Sequence, residues 1–225
     1  INGNITDFSG SGTTYTATFT PSTEGTCSII VEANKFTDNA TPANNNSESN
    51  DFAWEHGMPI FKPTTKDELQ IAVNLWISDN SNALVIYGEI NTWNTELITD
   101  MYRLFYDKQT FNDDIGNWNT SDVTNMSEMF RRAYAFNQDI GNWNTSNVTN
   151  ISHMFREAHN FNQDINTKVV NVNGNQYVAW DMNNVTNMQY MFYYAKEFDS
   201  PINKWNISNV TNIAGMFSRT DNFNK

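Results

Sequence analysis

Three aspartates occupy the same place in successive copies of a repeated segment, and their spacing suggests metal chemistry. Asp114, Asp139 and Asp164 follow one another at intervals of 25 residues. If the copies stack, the carboxylates lie about 5 Å apart, and like charges at that distance repel unless they are solvated, protonated or bridged by a cation. Calcium takes oxygen-rich sites of this kind. The column predicts either a calcium site or, as the favoured alternative, a solvated acidic stripe bonded to backbone N–H groups.

No other side chains have the spacing of a catalytic or metal site. His153 and His159 share one repeat but lack the i,i+4 spacing of a zinc-binding pair. Serines and threonines abound without a GxSxG motif or a nearby base, and no glycine-rich phosphate loop occurs. The single cysteine, Cys27, permits neither an internal disulfide nor a cysteine metal cluster. We predict that the protein is not an enzyme and that, calcium aside, it needs no cofactor.

One insertion interrupts an otherwise regular spacing of tryptophans. Successive repeats place a tryptophan 25, 25, 37 and 25 residues after the previous one, and the extra residues fall between Ile165 and Trp180. Asn-Gly between two apolar runs is a strong hairpin signal, and insertions in repeat proteins often lie on the binding face. We predict a hairpin near 166–179 that binds a ligand, with a functionally neutral insertion as the alternative. The candidate binding residues are Val170, Val172, Asn173, Gly174, Asn175 and Tyr177.

The composition excludes several classes of partner. The 225 residues carry a formal net charge of −12, which repels phosphate backbones and anionic membrane surfaces. No apolar run reaches the roughly 18 residues that a spanning helix needs. We therefore expect no nucleic-acid partner and no transmembrane segment.

The repeat predicts an architecture of stacked coils. One copy of 25 residues cannot bury its own tryptophan, valine, methionine and phenylalanine, whereas stacked copies bury them in continuous columns. A polar column that begins at Asp100 runs beside the apolar ones, and its amides can satisfy backbone groups at the turn of each coil. The structural columns are Trp93, Trp118, Trp143, Trp180 and Trp205, with Asn125, Asn150, Asn187 and Asn212 in the polar column.

Local patterns predict how each coil is built. SEMFRRA has the i, i+3, i+4 apolar spacing of a short helix or 3₁₀ turn, and FNQDIGNW is predicted to be a short strand that pairs in parallel with its copies. Upstream, Thr65 and Glu68 form a capping box for an amphipathic helix that covers the first coil, and residues 83–90 are the predicted first strand. The expected fold class is an α/β leucine-rich-repeat-like solenoid of parallel short strands and short helices.

Two family resemblances accompany these patterns. The coil pattern MFxxAxxFNxDIxxWxTSxVTxM resembles the BspA-like leucine-rich-repeat proteins of bacterial and protist surfaces, over residues 93–225. The segment GSGTTYTATFTPS, followed by alternating strands and FTDNA, resembles the later half of the Ig-like repeats of bacterial adhesins. The resemblances imply a partial all-β Ig-like β-sandwich over 1–56, a linker with a capping helix and strand over 57–92, and a five-coil solenoid over 93–225.

The resemblances also imply a function. They point to an extracellular or cell-surface location and to adhesion or ligand binding, with a protein or a glycan as partner. The alternative is a structural subunit of an extracellular filament, in which strand complementation and head-to-tail contacts join copies of the chain.

Overall fold

The computed structural model describes residues 3–11, 14–21, 25–29, 52–56 and 60–223. The chain divides into two compact units, Ile1–Pro59 and Ile60–Lys225. Each unit is described separately below.

The N-terminal unit contains two antiparallel strand pairs among its described residues. β1 (Gly3–Ser11) pairs with β2 (Thr14–Pro21), and β3 (Gly25–Ile29) pairs with β4 (Phe52–His56). In these pairs Phe19 lies opposite Ile5, and Cys27 lies opposite Trp54.

The predicted Ig-like sandwich is not what the described strands form. The sequence predicts a partial sandwich, but the described strands form two separate two-stranded sheets, whereas each sheet of an Ig-like sandwich has three or more strands. Alternating apolar and polar residues identify half-buried strands but do not select their partners. β1 pairs instead with the strand that follows it closely in sequence.

Two helices open the second unit. α1 (Lys66–Ser78) begins at the N-cap Thr65, whose hydroxyl accepts a hydrogen bond from the backbone N–H of Glu68 at 3.2 Å. The Glu68 carboxylate accepts from the backbone N–H of Thr64 at 2.7 Å, one residue earlier than a standard capping box would have it. The buried face of α1 consists of Leu69, Ala72, Val73 and Trp76.

The predicted first strand is instead a second helix, α2 (Asn80–Tyr87). Asp79 caps it by accepting from the N–H of Asn82 at 3.2 Å, and Gly88 ends it with a φ of 69°. The apolar run ALVIY favours a strand by composition, but these two end signals outweigh that preference. A 3₁₀ turn, Ile90–Thr92, then leads into the first coil.

The predicted leucine-rich-repeat-like solenoid is wrong. Within residues 60–223 the structure has no sheet of parallel strands, and no helix follows the 3₁₀ turn. The parallel pairing in this part consists of isolated single-residue bridges, Asp100↔Asn125, Asn125↔Asn150, Asn150↔Asn187 and Asn187↔Asn212. Residues 93–223, called the coil stack below, are built mainly of turns.

The segment predicted to be a short helix or a 3₁₀ turn forms a backbone ladder between coils. In SEMF, the N–H of Met129 bonds to the carbonyl of Met126 within the coil, but the N–H groups of Glu128 and Phe130 bond to the next coil. Glu128 and Arg132 have positive φ angles of 58° and 63°, which an α-helix does not tolerate. Alternate N–H groups therefore point out of the coil, and i→i−4 bonding cannot begin.

The segment predicted to be a strand is held by side chains instead. The backbone N–H of Asn137 donates to the Oδ1 of Asn112 at 2.8 Å, and that of Asn162 donates to the Oδ1 of Asn137 at 2.9 Å. Gln138 also donates its side-chain amide to the carbonyl of Asn112 at 2.7 Å. Because amide side chains bond these backbone groups, no backbone ladder forms here.

Aromatic columns fill the core of the coil stack. Phe105, Phe130 and Phe155 stack with ring centroids 5.4 and 5.6 Å apart. Each of the five tryptophans of the column donates its indole N–H to a backbone carbonyl earlier in the chain, for example Trp143 to Ile115 at 3.3 Å. The exposed fractions of the tryptophans are 2, 3, 1, 0 and 9% for Trp93, Trp118, Trp143, Trp180 and Trp205.

Candidate functional site

The insertion forms a two-stranded antiparallel hairpin. β5 (Lys168–Val172) and β6 (Asn175–Ala179) are joined by Asn173 and Gly174 alone. Both turn residues have positive φ, 52° and 84°, as a two-residue type I′ turn requires. β5 and β6 are called the insertion hairpin below.

The insertion hairpin has one face against the coil stack and one face in solvent. Val170 lies opposite Tyr177, and both are partly buried against the core. Val169 lies opposite Val178 on the other face, and these side chains are 65 and 38% exposed. The alternation of the strands therefore sets which residues can face a ligand held against the coils.

A hydrogen bond from Tyr177 ties the hairpin to an earlier coil. The hydroxyl of Tyr177 donates to the backbone carbonyl of Asn142 at 2.5 Å. Burial raises the pKa of Tyr177 above its usual value, so this hydroxyl stays protonated and remains a donor. The hairpin consequently leans over the coils that precede it.

A cleft of about 460 Å³ lies between the insertion hairpin and these coils. Its volume falls in the range of small-ligand sites. We call it the hairpin cleft. From the predicted binding set, Val172, Asn173, Asn175 and Tyr177 line it. The coils supply Gly116, Asn117, Trp118, Asn119, Thr120, Ser121, Asn142 and Asn144, and the hairpin adds Gln176.

The remaining two predicted binding residues do not line the cleft. Val170 packs against the core, and Gly174 sits in the turn with no heavy atom within 4 Å of the place its Cβ would occupy. Their roles are to anchor and to turn the hairpin.

The polar groups of the hairpin cleft are largely unused within the chain. Among the described residues, the side-chain amides of Asn117, Asn142 and Gln176 have no hydrogen-bond partner, and the same holds for Asn173 and Asn175 in the hairpin. None of the described residues that line the cleft is charged. The cleft thus presents a neutral surface of donors and acceptors.

Sequence reasoning identified the hairpin but missed its partners on the coils. Asn119 and Asn144 each follow a tryptophan and each accept a backbone N–H through Oδ1, from Ser121 and Ser146 at 3.0 Å. Their Nδ2 atoms face no partner in the described part of the chain. The signal that could have pointed to them is their place in coils next to the one interrupted repeat.

The predicted aspartate column serves the backbone. Asp114, Asp139 and Asp164 each accept the N–H of the residue two positions later, at 2.8, 2.8 and 3.0 Å. Asp114 also accepts from the amide of Asn91, and Asp164 lies 3.8 Å from the Nζ of Lys168. No group of three or more acidic, histidine or cysteine side chains among the described residues is arranged to hold a metal ion.

The asparagine column has the same function within each coil. The Oδ1 atoms of Asn125, Asn150, Asn187 and Asn212 accept the N–H two residues on, at 3.0 to 3.1 Å. These are Asx turns, and they start the turn ladder of each coil. The column therefore caps backbone groups rather than forming a ladder of amides between coils.

Two charged columns lie where the coil backbone is left-handed. In one, Arg103 is 2.9 Å from Glu128 of the next coil, and in the other, Arg132 is 3.5 Å from Asp107 and 3.8 Å from Glu157. Burial raises the pKa of Glu128, but hydrogen bonds and charge from Arg103 and Arg131 outweigh it and leave that pKa below its usual value. Opposite charges therefore meet across the boundaries between these coils.

The histidines are packed into the stack. His153 stacks on Tyr190 and His159 stacks on Tyr134, with ring centroids 5.2 and 4.6 Å apart. Burial lowers the pKa of both imidazoles. Nδ1 of His153 and Nε2 of His159 are buried without a hydrogen-bond partner.

No helix among the described residues is both long and apolar enough to cross a membrane. The fold and site define a repeat protein of stacked 25-residue turn-built coils with one hairpin inserted between two of them. A family model described as a Mycoplasma protein of unknown function, DUF285, matches residues 77–178 and again 167–225. The two matches cover more than half of the chain, so the chain belongs to the DUF285 family.

The two family matches overlap over residues 167–178, inside the insertion hairpin. The insertion therefore coincides with the join between two runs of the family pattern. No curated protein and no solved structure matches the chain.

Proposed function

We propose that the protein is a non-enzymatic, extracellular or cell-surface protein that mediates adhesion by binding a ligand in the hairpin cleft. The observation that carries this proposal is the insertion hairpin itself. It interrupts the repeat once and covers a row of amide side chains that have no partner in the described part of the chain. Convergent polar groups in a concave site favour ligand binding.

The chemistry of the lining favours binding over catalysis. Catalysis needs a nucleophile, acid or base with a suitable pKa, and the described lining offers amides, hydroxyls and aromatic rings. Tyr177, the titratable group among them, has a pKa raised by burial. The extracellular or surface location is proposed from the resemblance of the coil pattern to BspA-like surface repeats.

Removing the hairpin tests the proposal. Deletion of residues 167–178 leaves two residues, Asn166 and Ala179, between Ile165 and Trp180. The preceding coil also has two residues, Gly141 and Asn142, between its isoleucine and Trp143, so the deletion restores the regular repeat spacing. The intact chain and the deletion variant are applied to an array of glycans and extracellular-matrix proteins. We expect the intact chain to bind one class and the deletion variant to lose that binding while it keeps a cooperative thermal unfolding transition.

A matched control is Asn160→Ala. Asn160 lies outside the cleft. Like the free asparagines of the cleft, it is exposed and its side chain has no hydrogen-bond partner among the described residues. Equal binding by the intact chain and the deletion variant would contradict the proposal. Antibody labelling of unpermeabilised cells that express the native protein tests its location, and labelling only after permeabilisation would refute surface exposure.

A further inference from the structure

We infer that the ligand of the hairpin cleft is a neutral oligosaccharide. The inference rests on the proposed function of the cleft and specifies its ligand class. Three properties of the described lining carry it: the kind of polar group, the lack of charge and the position of Tyr177.

The polar groups match sugar hydroxyls. Each free amide, such as those of Asn117, Asn142 and Asn175, offers an N–H₂ donor pair and a carbonyl acceptor. A sugar hydroxyl is likewise both donor and acceptor, so one amide can bond two neighbouring hydroxyls. Several amides around one cleft therefore suit a ligand covered with hydroxyl groups.

The charge excludes an acidic sugar chain. None of the described lining residues is a lysine or arginine that could pair with a carboxylate or sulfate, and the chain carries a net charge of −12. An anionic polysaccharide would approach against this field. A neutral chain meets no such barrier.

Tyr177 gives the cleft an aromatic wall held in a fixed position. Its ring is half-buried against the coil stack, and its hydroxyl is held by the carbonyl of Asn142 at 2.5 Å. Trp118 is only 3% exposed, so the aromatic surface available to a ligand comes mainly from Tyr177. A rigid ring can pack against the apolar C–H face of a sugar at little conformational cost.

The same lining disfavours a peptide. Peptide recognition commonly uses a groove with apolar pockets, a cluster of arginines or an exposed sheet edge. The described lining has Val172 as its one aliphatic side chain and lacks arginine. A peptide or protein is therefore not the expected ligand, and its binding is one of the outcomes that the test distinguishes.

The test uses the full chain and a defined set of immobilised hexasaccharides. Neutral members are chains of glucose in α and β linkage, mannose, xylose and N-acetylglucosamine, and the acidic members are oligogalacturonate and a heparin hexasaccharide. We expect binding to at least one neutral chain and none to the acidic chains. Titration calorimetry with the best neutral hexasaccharide then gives the dissociation constant.

Variants connect binding to the cleft. Asn142→Ala and Asn175→Ala each remove one free amide, and each should raise the dissociation constant about two- to tenfold. Tyr177→Phe keeps the ring and should weaken binding less than Tyr177→Ala does. Asn160→Ala outside the cleft should leave the constant unchanged, and thermal unfolding of each variant shows that the fold is retained.

The outcomes separate this inference from the proposed function. Hairpin-dependent binding to proteins or acidic glycans alone would overturn the neutral-sugar inference and leave the cleft as a binding site. If the deletion variant keeps all the binding of the intact chain, both the neutral-sugar inference and the proposed function are wrong. Neutral-sugar binding that is unchanged by Asn142→Ala, Asn175→Ala and Tyr177→Ala would place the sugar elsewhere and overturn the inference.

Discussion

A methyl group added at Gly141 has no room between two coils. A Cβ built there lies 2.6 Å from the backbone carbonyl oxygen of Asp164, whereas carbon–oxygen contacts are normally about 3.3 Å. The coils would have to separate locally by about 0.7 Å. The hydrogen bond from the N–H of Asn162 to Asn137, now 2.9 Å, would then approach or exceed the limit for such bonds.

The backbone oxygen of Asp164 cannot rotate away from the new methyl group. Gly141→Ala should therefore lower the free energy of unfolding by about 2–3 kcal/mol, in the upper part of the range for overpacked sites. For a unit of 150 to 250 residues this lowers the melting temperature by about 4–12 °C. Thermal unfolding followed by circular dichroism measures the shift. Gly116→Ala should behave alike, because its Cβ would lie 2.7 Å from the carbonyl oxygen of Asp139.

The control is Asn142→Ala, one residue further on. Its side chain is exposed and unpartnered in the described residues, so truncation should change stability by no more than about 0.5 kcal/mol. If Gly141→Ala melts at the same temperature as Asn142→Ala, the coils are not in close backbone contact at this position, and the stacking described here is incorrect.

Trp143→Ala should lower the free energy of unfolding by about 3–5 kcal/mol, because the side chain is buried in its column. Ile207 is half-exposed, so Ile207→Ala should change it little. A melting temperature that Trp143→Ala lowers by less than a few degrees would mean that this tryptophan is not in the core. Because burial lowers the pKa of His153 and His159 below the usual 6.5, the unfolded chain binds more protons, and the melting temperature should fall as pH drops below about 6.5. The double variant His153→Gln/His159→Gln should flatten that fall, and an unchanged slope would contradict it. A calcium chelator should leave the melting temperature unchanged, because no group of three or more acidic, histidine or cysteine side chains among the described residues is arranged to hold a metal ion; a decrease that Asp139→Asn abolishes would instead indicate bound calcium.

The 25-residue register can be predicted from sequence because each column needs the same residue in every coil. Phe130 and Phe155 stack because one large ring must sit above another to exclude water. The local conformation cannot be predicted in the same way. SEMF brings apolar residues to one side whether it forms a helix or a turn ladder, and the choice depends on carbonyls that the next coil provides to Glu128 and Phe130.

The hairpin cleft likewise has features that can be predicted from the sequence and features that cannot. The turn is encoded by Asn173 and Gly174, two residues that tolerate positive φ. The direction in which the hairpin leans is not local, since it depends on the bond from Tyr177 to Asn142, which are 35 residues apart. Asn117 and Asn119 could not be assigned to the site without that direction.

The alternating charged columns restrict how such an array can lengthen. Arg103 faces Glu128 across one coil boundary, and Asp107 faces Arg132 across the same boundary. Duplicating the coil that contains Glu128 and Arg132 would set each of these charges against its own copy, and like charges in direct apposition are destabilising. Duplicating the Arg103 coil together with the Glu128 coil would instead place opposite signs at the new boundary. These two coils are therefore duplicated more readily as a pair than singly.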